Sequence, residues 1–276
     1  MNSIHSKFSV LMSIYHKEIP DYFDRCMFSI WDEQKTKPDE IVLVQDGILT
    51  DDLYQVINKW SEKLGNTFKC ITLDKNIGTG GAKKIGVKNC HYNYIAVMDT
   101  DDIATPQRFK KQIEFLEQHP DIDVVGTLIY EIDENNKIIK DKVYFPLSHN
   151  LLYDFFAKRD PLAHPTSMFR KRFFEKAGNY PDDLLLAEDT LLWYHGFLNG
   201  CQFANMDFVG LKFRRTSDFY KRRANYKKSI GLLKYRLFKI NRNLNYGLIA
   251  DLYAIAYFFL SISPQFIKKI LYKNLR

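Results

Sequence analysis

Short apolar runs alternate with segments of helical spacing over the first 130 residues, and this alternation limits the fold more than any other feature of the chain. An uninterrupted apolar run indicates a strand that is buried on both faces, and helices between such strands indicate a mostly parallel sheet covered on both sides. The predicted strands are Phe8–Ile14, Glu40–Val44, Phe68–Leu73, Tyr94–Met98 and Asp123–Ile129, and the predicted helices between them are 22–31, 51–64, 80–89 and 106–118.

The pattern changes after about residue 130. A polar segment, Asp133–Lys137, separates two alternating stretches and predicts a hairpin. Further helices are predicted at 151–157, 189–198, 219–243, 248–260 and 265–275. Because no linker rich in Gly, Ser or Pro divides the chain, we expect one catalytic domain at residues 1–210 and a helical appendage at 211–276.

Charge is divided unevenly between these two parts. Residues 211–276 contain 16 Lys and Arg but only two acidic residues, whereas residues 1–210 contain 24 basic and 31 acidic residues. A basic tail suits an anionic partner such as nucleic acid, phospholipid or a phosphorylated substrate, although a solvated helix face is also consistent with it. The most apolar segment, Leu248–Ser263, contains Asp251 and is shorter than the roughly 20 residues that cross a bilayer.

The cysteines and the N-terminus favour a reducing compartment. Cys26, Cys70, Cys90 and Cys201 are far apart and form no Cys-x-x-Cys pair, which argues against a zinc site or a disulfide scaffold. The first nine residues contain no long apolar run and do not resemble a signal peptide. Free thiols in the cytoplasm are therefore expected.

Polar residues follow three of the predicted strands, at Tyr15-His16, Gln45-Asp46 and the cluster Asp99–Asp102. Ligands of parallel sheets bind beyond the carboxyl ends of the strands, so these groups should converge on one crevice. Asp99, Asp101 and Asp102 repel one another unless a cation is present, and carboxylates are the ligands that Mg²⁺ and Mn²⁺ prefer. A turn and cap before the next helix is the structural alternative. An aspartyl phosphohydrolase is disfavoured because Ile103 stands where that motif usually has Thr or Val.

A Gly-rich segment, residues 76–86, opens a predicted helix. A helix N-terminus of this kind can bind phosphate. The segment fails the dinucleotide fingerprint, because Lys83 stands in place of the third Gly, and it lacks the Gly-Lys-Ser/Thr of a P-loop. Lys83 and Lys84 can neutralise a diphosphate, or they can simply face solvent.

Several later residues are also candidates for chemistry. The pair Glu188-Asp189 precedes an apolar helix, where it can cap the helix or supply a general base. His164 precedes a short apolar segment and is either structural or a substrate contact. Arg214 and Arg215 can bind phosphate in a bidentate way or can merely begin the basic tail.

Taken in order from Phe8 to Arg215, these segments resemble the family 2 glycosyltransferases, which have the GT-A fold. The family's opening strand motif is similar to Ser13–His16, and its Asp-Asp-Gly stretch is similar to Gln45–Gly47. Its Asn-x-Gly motif looks like 76–86, its Asp-x-Asp-Asp matches Asp99–Asp102, and its Glu-Asp matches Glu188-Asp189. Gln45 departs from the family's usual acid.

The resemblance implies an α/β fold of the GT-A, Rossmann-like type and a role for each matched residue. Residues 1–128 would form the nucleotide-sugar half and residues 129–210 the acceptor half. The nucleotide sugar would be bound by Ser13, Tyr15, Asp46, Gly78, Lys83, Asp99 and Asp101. Tyr15 would stack on the base, and Asp46 would hydrogen-bond to it. Mn²⁺ or Mg²⁺ would be held by Asp101 with Asp102 and Asp99. Asp189, beside Glu188, would be the general base, and His164, Arg214 and Arg215 would contact the acceptor.

The resemblance also implies a reaction: transfer of one hexose, by default Gal or Glc, from a UDP-sugar with inversion to a β-linkage. The processive motif Gln-x-x-Arg-Trp is absent after Asp189, which favours single transfers. Similar small transferases assemble O-antigen and exopolysaccharide on an undecaprenyl diphosphate carrier. We therefore expect a peripheral enzyme on the cytoplasmic face of the inner membrane.

The basic tail fits a membrane setting. Its apolar faces would lie at the interface (Leu252, Ile255, Phe259, Phe266 and Ile270), with Lys268, Lys269 and Lys273 towards anionic headgroups. Packing on the protein's own core, or on a second subunit in a homodimer, is the alternative.

Two other classes compete with this interpretation. A nucleotidyltransferase also places carboxylates and a metal at an α/β crevice, but it leaves Glu188-Asp189 unexplained. A nucleic-acid-binding protein would use the basic tail, but the carboxylates of Asp99–Asp102 would repel phosphate without a metal. We therefore expect no nucleic-acid partner.

Overall fold

The computed structural model describes residues 6–181, 187–216 and 226–263. In this part of the chain a nine-stranded sheet has the order β3-β2-β1-β4-β8-β6-β9-β5, with β7 paired to β6. The strands are β1 (Phe8–Ile14), β2 (Glu40–Gln45), β3 (Phe68–Thr72), β4 (Tyr94–Val97), β5 (Ile103–Ala104), β6 (Val124–Ile132), β7 (Ile138–Val143), β8 (Met168–Arg170) and β9 (Phe203–Arg214).

The first half of the sheet is parallel, as the apolar runs predict. β1 lies between β2 and β4 and is parallel to both, and β2 is parallel to β3. Every residue of β2 and β4 is buried. Burial on both faces explains why these strands are continuous apolar runs rather than alternating ones.

The second half of the sheet is mixed. β8 is antiparallel to both β4 and β6, and β9 is parallel to β6 but antiparallel to β5. The predicted hairpin is present as β6 and β7. The predicted domain boundary after residue 210 falls inside β9, where Leu211 pairs with both Ala104 and Ile129. The sheet therefore continues to Arg214, and the appendage begins after it.

Helices cover both faces of the sheet and divide the core in two. One apolar cluster lies against α1, α2 and α4, and the other lies against α3, α5, α6 and α7. The bounds are α1 (Pro20–Trp31), α2 (Asp51–Leu64), α3 (Thr79–Asn89), α4 (Arg108–Gln118), α5 (His149–Phe156), α6 (Lys171–Ala177) and α7 (Glu188–Leu198). α1 shows why these helices pack: Phe23, Met27 and Ile30 follow helical spacing and are completely buried.

The appendage is helical where the structure describes it. It contains α8 (Tyr226–Tyr235), a π-helical segment (Arg236–Ile240), α9 (Asn241–Asn243) and α10 (Leu248–Ile262). The helix predicted at 265–275 lies outside the described residues, as does the beginning of the one predicted at 219–243. Among the residues described, no helix is long and apolar enough to cross a membrane.

One side of α10 is apolar and exposed. Five apolar residues at alternating spacings of four and three form this α10 stripe: Leu248, Leu252, Ile255, Phe259 and Ile262. The opposite side packs on the protein through Ala250 and Ala254, which are buried. The exposed positions include Leu252, Ile255 and Phe259 of the sequence prediction, whereas Phe266, Ile270 and the three lysines lie outside the described residues.

Candidate active site

Three strand ends bring the predicted nucleotide-binding groups to one edge of the sheet. In the β1–β2 pair Ile14 lies opposite Gln45, and in the β1–β4 pair Leu11 lies opposite Val97. The chain therefore leaves three adjacent parallel strands at Tyr15, at Asp46 and at Met98, the residue before Asp99. Tyr15 and Ser13 are both partly exposed.

Lys83 of α3 forms an ion pair with Asp99 across this edge. Its Nζ lies 3.0 Å from Oδ1 of Asp99, and the lysine side chain is only 3% exposed. Burial opposes the charge on Lys83, but Asp99 and then Asp189 hold its pKa above the ordinary value. The buried ammonium is therefore charged, and it lies among carboxylates rather than in solvent.

His164 lies behind Lys83, in a short 3₁₀ turn before β8. Its Nδ1 lies 3.3 Å from Nζ of Lys83, and its Nε2 lies 2.9 Å from the hydroxyl of Tyr180. Nε2 is also 3.4 Å from Oδ1 of Asp189. The predicted acceptor contact does not fit this position, because the imidazole is buried and both of its nitrogens face protein groups.

Asp189 lies in the first turn of α7 and is connected to the strand ends through His164. Burial raises the pKa of Asp189 to about 8, with the Lys83 ammonium acting in the opposite direction. α3 and α7 approach closely here, since a Cβ built on Gly80 would lie 2.9 Å from Cβ of Glu188. The carboxylate of Asp189 therefore combines a raised pKa with 38% exposure of its side chain, as a general base requires.

A cavity of about 250 Å³ adjoins Asp189. Its wall combines the start of α7 with residues from the appendage, so the tail helices contribute directly to the space beside the candidate base. The polar part of the lining includes Asp160, Lys228, Ser229 and Tyr257. Asp160 is held in place by the hydroxyl of Thr190, which donates to its Oδ1 at 2.9 Å.

The carboxylate cluster after β4 divides into exposed and buried members. Asp99 and Asp101 are partly exposed, whereas Asp102 is completely buried. Oδ1 of Asp102 accepts a hydrogen bond from the backbone N–H of Arg214 at 2.8 Å, and its Oδ2 is buried without a hydrogen-bond partner in the described residues. Burial, and then the charges of Asp101 and Asp99, raise the pKa of Asp102 well above its ordinary value.

This cluster fits a divalent cation only in part. Three neighbouring carboxylates, one with an unpartnered buried oxygen, form a donor set that a cation would stabilise. Within the described residues, however, no three His, Cys, Asp or Glu side chains are arranged to hold a metal by themselves. The arrangement resembles sites where Mg²⁺ takes one or two carboxylates and completes its coordination with substrate phosphates and water.

Arg214 has a structural position that the sequence did not predict. Its guanidinium is buried, lies 3.9 Å from the ring centre of Tyr22, and donates to the backbone oxygens of Asp101 and Asp133. A further donor reaches Asn136. The predicted acceptor role does not fit, because all three guanidinium nitrogens already donate to protein groups. Arg215 instead pairs with the buried carboxylate of Glu131.

Asp46 holds the beginning of the Gly-rich segment. Its two carboxylate oxygens accept hydrogen bonds from the backbone N–H groups of Ile77 and Gly78, at 2.7 and 3.0 Å. Gly78 has a φ of +87°, which favours glycine, and it is the N-cap of α3. Asp46 thereby positions the helix that carries Lys83. Its contact with a nucleotide base stays a prediction.

Two buried residues near the site were missed by sequence reasoning. Tyr180 is completely buried and touches His164, but nothing in its sequence surroundings indicates this. Arg108 of α4 is also completely buried and donates to the backbone oxygen of Val97, just before the carboxylate cluster. The sequence did contain a signal for Arg108. This residue lies on the same helix face as Gln112 and Leu116, so a charged side chain stands on the side of the helix that faces the core.

The fold agrees with that of known glycosyltransferases. A structure of S. aureus TarS 1–349 in complex with UDP-GlcNAc matches 95% of this chain with a TM-score of 0.59 and 20% identity, over 82% of that chain. A UDP complex matches 82% of this chain with the same TM-score and 23% identity, and this chain spans about 65% of its length. These likenesses establish the fold, which is the predicted GT-A type.

Sequence comparison identifies the family. The model of glycosyl transferase family 2 matches residues 9–178. The amylovoran biosynthesis glycosyltransferase AmsE of Erwinia amylovora is 38% identical over 80% of this chain and 82% of its own. The UDP-Gal:alpha-D-GlcNAc-diphosphoundecaprenol beta-1,3-galactosyltransferase of Escherichia coli is 30% identical over 97% of this chain and 96% of its own.

The chain belongs to glycosyl transferase family 2 and is a glycosyltransferase. Its relatives include enzymes named for exopolysaccharide and lipid-linked saccharide synthesis, as the resemblance of the motifs predicted. The nucleotidyltransferase and nucleic-acid-binding hypotheses are thereby set aside.

Proposed function

We propose that this enzyme transfers one hexose from a UDP-sugar, with inversion, to a saccharide carried on a lipid diphosphate during O-antigen or exopolysaccharide assembly. The observation that carries the proposal is the line of contacts from Asp99 through Lys83 and His164 to Asp189. This line joins the nucleotide edge of the sheet to a carboxylate beside a cavity. A nucleotide-sugar site and an acceptor site on either side of these residues would allow the acceptor hydroxyl to displace the nucleoside diphosphate directly.

Asp189 is the general base in this mechanism. Its carboxylate removes the proton from an acceptor hydroxyl, and the hydroxyl oxygen then attacks the anomeric carbon. The new glycosidic bond forms as the bond from that carbon to the diphosphate oxygen breaks on the opposite face. An α-linked nucleotide sugar therefore yields a β-glycoside, and the proton remains on Asp189.

The nucleotide side depends on Lys83 and the exposed carboxylates. Asp101 with Asp99 would hold Mn²⁺ or Mg²⁺ against the diphosphate, and the ion would offset the charge that develops on the leaving group. Lys83 contributes a second, fixed positive charge beside Asp99. Asp102 is the least accessible of the three carboxylates. It stabilises the segment after β4 by accepting a hydrogen bond from the backbone N–H of Arg214.

The cavity beside Asp189 is the proposed acceptor site. Lys228 supplies a positive charge for the acceptor's diphosphate, and Asp160 and Ser229 supply acceptors and donors for sugar hydroxyls. The side chain of Tyr257 provides an aromatic face, which is a common partner for a sugar ring. This assignment replaces Arg214 as an acceptor contact and gives the tail a part in binding.

The relatives support the choice of substrates. One is named as a galactosyltransferase that uses UDP-Gal and a diphosphoundecaprenol acceptor, and TarS binds UDP and UDP-GlcNAc. The direct test is a screen of UDP-Gal, UDP-Glc and UDP-GlcNAc, with Mn²⁺ or Mg²⁺, against a synthetic lipid-diphosphate-linked GlcNAc. We expect a β-linked disaccharide from UDP-Gal or UDP-Glc. An α-linked product would contradict the inverting mechanism.

Replacement of the base tests the mechanism itself. Asp189→Asn keeps the size of the side chain but cannot accept the proton, so we expect kcat to fall by about 10²- to 10⁴-fold. UDP affinity, measured by calorimetry, should stay unchanged. Asp207→Asn provides the same chemical change at an exposed position and should leave both values unaltered. Full activity of Asp189→Asn would remove this residue from the base role.

The α10 stripe suits the surface of the inner membrane, where a lipid-linked acceptor resides. Leu252 and Phe259 are 66% and 62% exposed, and burial of such groups in the interface is favourable. The double variant Leu252→Ser/Phe259→Ser should lose binding to anionic vesicles in flotation assays. If vesicle binding persists and the wild-type protein is a dimer that the variant abolishes, the stripe is instead a subunit interface.

A further inference from the structure

The orientation of His164 follows from its neighbours. Lys83 has donors but no acceptor, so the contact between Nζ and Nδ1 requires the imidazole to accept at Nδ1. Burial, with Lys83 as the second cause, lowers the pKa of His164 well below its ordinary value, so the ring is neutral. The single ring proton must then be on Nε2, which donates to the Tyr180 hydroxyl oxygen at 2.9 Å and also lies 3.4 Å from Oδ1 of Asp189.

Oδ1 of Asp189 lacks the hydrogen bond that its position calls for. The atom is buried and has no hydrogen-bond partner among the described residues, although Nε2 of His164 lies 3.4 Å away. A buried carboxylate oxygen without a donor is costly. Catalytic hydrogen bonds are often long before the substrate binds and shorten in the complex. A small movement of Asp189 towards Nε2 would satisfy the oxygen.

We propose that His164 is a positioning residue for Asp189: Lys83 sets its tautomer, and its Nε2–H, on a nitrogen 2.9 Å from the Tyr180 hydroxyl and 3.4 Å from Oδ1, attracts Oδ1 so that the second carboxylate oxygen faces the acceptor. The inference rests on the proposed base role of Asp189. It gives Lys83 two functions, since the same ammonium that pairs with Asp99 on the nucleotide side also directs the imidazole proton towards the base.

Two amide variants separate the functions of the two ring nitrogens. In His164→Gln the amide nitrogen can reach the place of Nε2 and still donate to Asp189. In His164→Asn the shorter side chain can accept near the place of Nδ1 but cannot reach Asp189. We expect kcat to fall by about 10- to 100-fold in His164→Asn, as is typical when a functional side chain loses its hydrogen-bond partner, and to fall less in His164→Gln. The KM for UDP-Gal or UDP-Glc should change little in either variant.

A second measurement needs no substrate. Titration of ¹³C-labelled aspartate by NMR, with the Asp189 signal assigned by its loss in Asp189→Asn, reports the pKa of this carboxyl in the free protein. The groups that act on it include Lys83, Glu188, Asp99 and Asp160, besides His164 and Tyr180. Because the Nε2–H group near Oδ1 stabilises the charged carboxylate even at 3.4 Å, its loss in His164→Asn should raise the pKa of Asp189, and His164→Gln should retain more of the wild-type value.

His149→Asn is the matched control, since this histidine is partly buried and its ring accepts from the backbone N–H of Phe203 instead of facing Asp189. It should leave the Asp189 titration unchanged. The proposal is wrong if His164→Asn and His164→Gln both fold and show the wild-type titration and the wild-type kcat. If Asp189→Asn is fully active, the base role itself fails. If Asp189→Asn is inactive while both His164 variants match the wild type, only the positioning role fails.

Discussion

Gly80 of α3 lies directly against Glu188 of α7, so closely that an added Cβ would come within 2.9 Å of the glutamate Cβ. This contact sets the distance between the helix that carries Lys83 and the helix that begins with the candidate base. The position of the Glu188 Cβ is fixed by the backbone of α7. A larger residue at position 80 must therefore displace that helix.

Gly80→Ala should therefore reduce activity by displacing Asp189. Overpacking of this kind costs about 1–3 kcal/mol of stability, and a shift near 1 Å in a catalytic group can cost about 100-fold in rate. Urea unfolding and steady-state kinetics measure the two effects. Gly247→Ala is the control, because a Cβ there meets nothing within 4 Å. Normal activity in Gly80→Ala would show that α7 can move without consequence.

The pH dependence of the reaction should report the raised pKa of Asp189. A base acts only when deprotonated, and burial raises this pKa to about 8. We expect kcat/KM to rise by about tenfold for each pH unit below that value and to level off above it. The measurement is a profile of kcat/KM between roughly pH 5 and pH 9.5, a range that brackets the transition. A transition in kcat/KM near the ordinary pKa of aspartate would contradict the assignment of Asp189 as the base.

Asp101→Asn should make the affinity for UDP depend less on the metal ion. The substitution removes a partly exposed carboxylate that is proposed to share a cation with the diphosphate, whereas the backbone oxygen of Asp101 still accepts from Arg214. UDP affinity in the presence of Mn²⁺ should fall by about tenfold, equivalent to about 1.4 kcal/mol, with little change in the absence of metal. Calorimetry with and without Mn²⁺ measures this. Equal Mn²⁺ enhancement in variant and wild type would exclude Asp101 as the main ligand.

Arg214→Lys should destabilise the protein rather than weaken acceptor binding alone. Lysine cannot reproduce the several hydrogen bonds that the planar guanidinium makes to Asp101, Asp133 and Asn136. We expect the free energy of unfolding to fall by about 2 kcal/mol, from buried acceptors left without a partner. Denaturant unfolding checks the value. Unchanged stability with a raised KM for the acceptor would restore the role expected from the sequence.

Much of the fold could be predicted because three of its parallel strands, β1, β2 and β4, are buried on both faces. In Phe8–Ile14 and Glu40–Gln45 every residue except the partly exposed Ser13 is buried, and apolar residues dominate both runs. β8 could not be predicted as an antiparallel strand between β4 and β6. It has three residues, and its direction is set by pairing with strands that are distant in sequence.

The sequence by itself determined the α/β alternation, the carboxylates after β4 and the acidic pair at the start of α7, because each depends on residue types within a short segment. Only the tertiary structure decided what His164 and Arg214 do. His164 meets Lys83 across 81 residues of sequence, and Arg214 meets Asp101 across 113. Whether such a side chain binds a substrate or the protein depends on burial and on which donors and acceptors surround it, and those are properties of the packed chain.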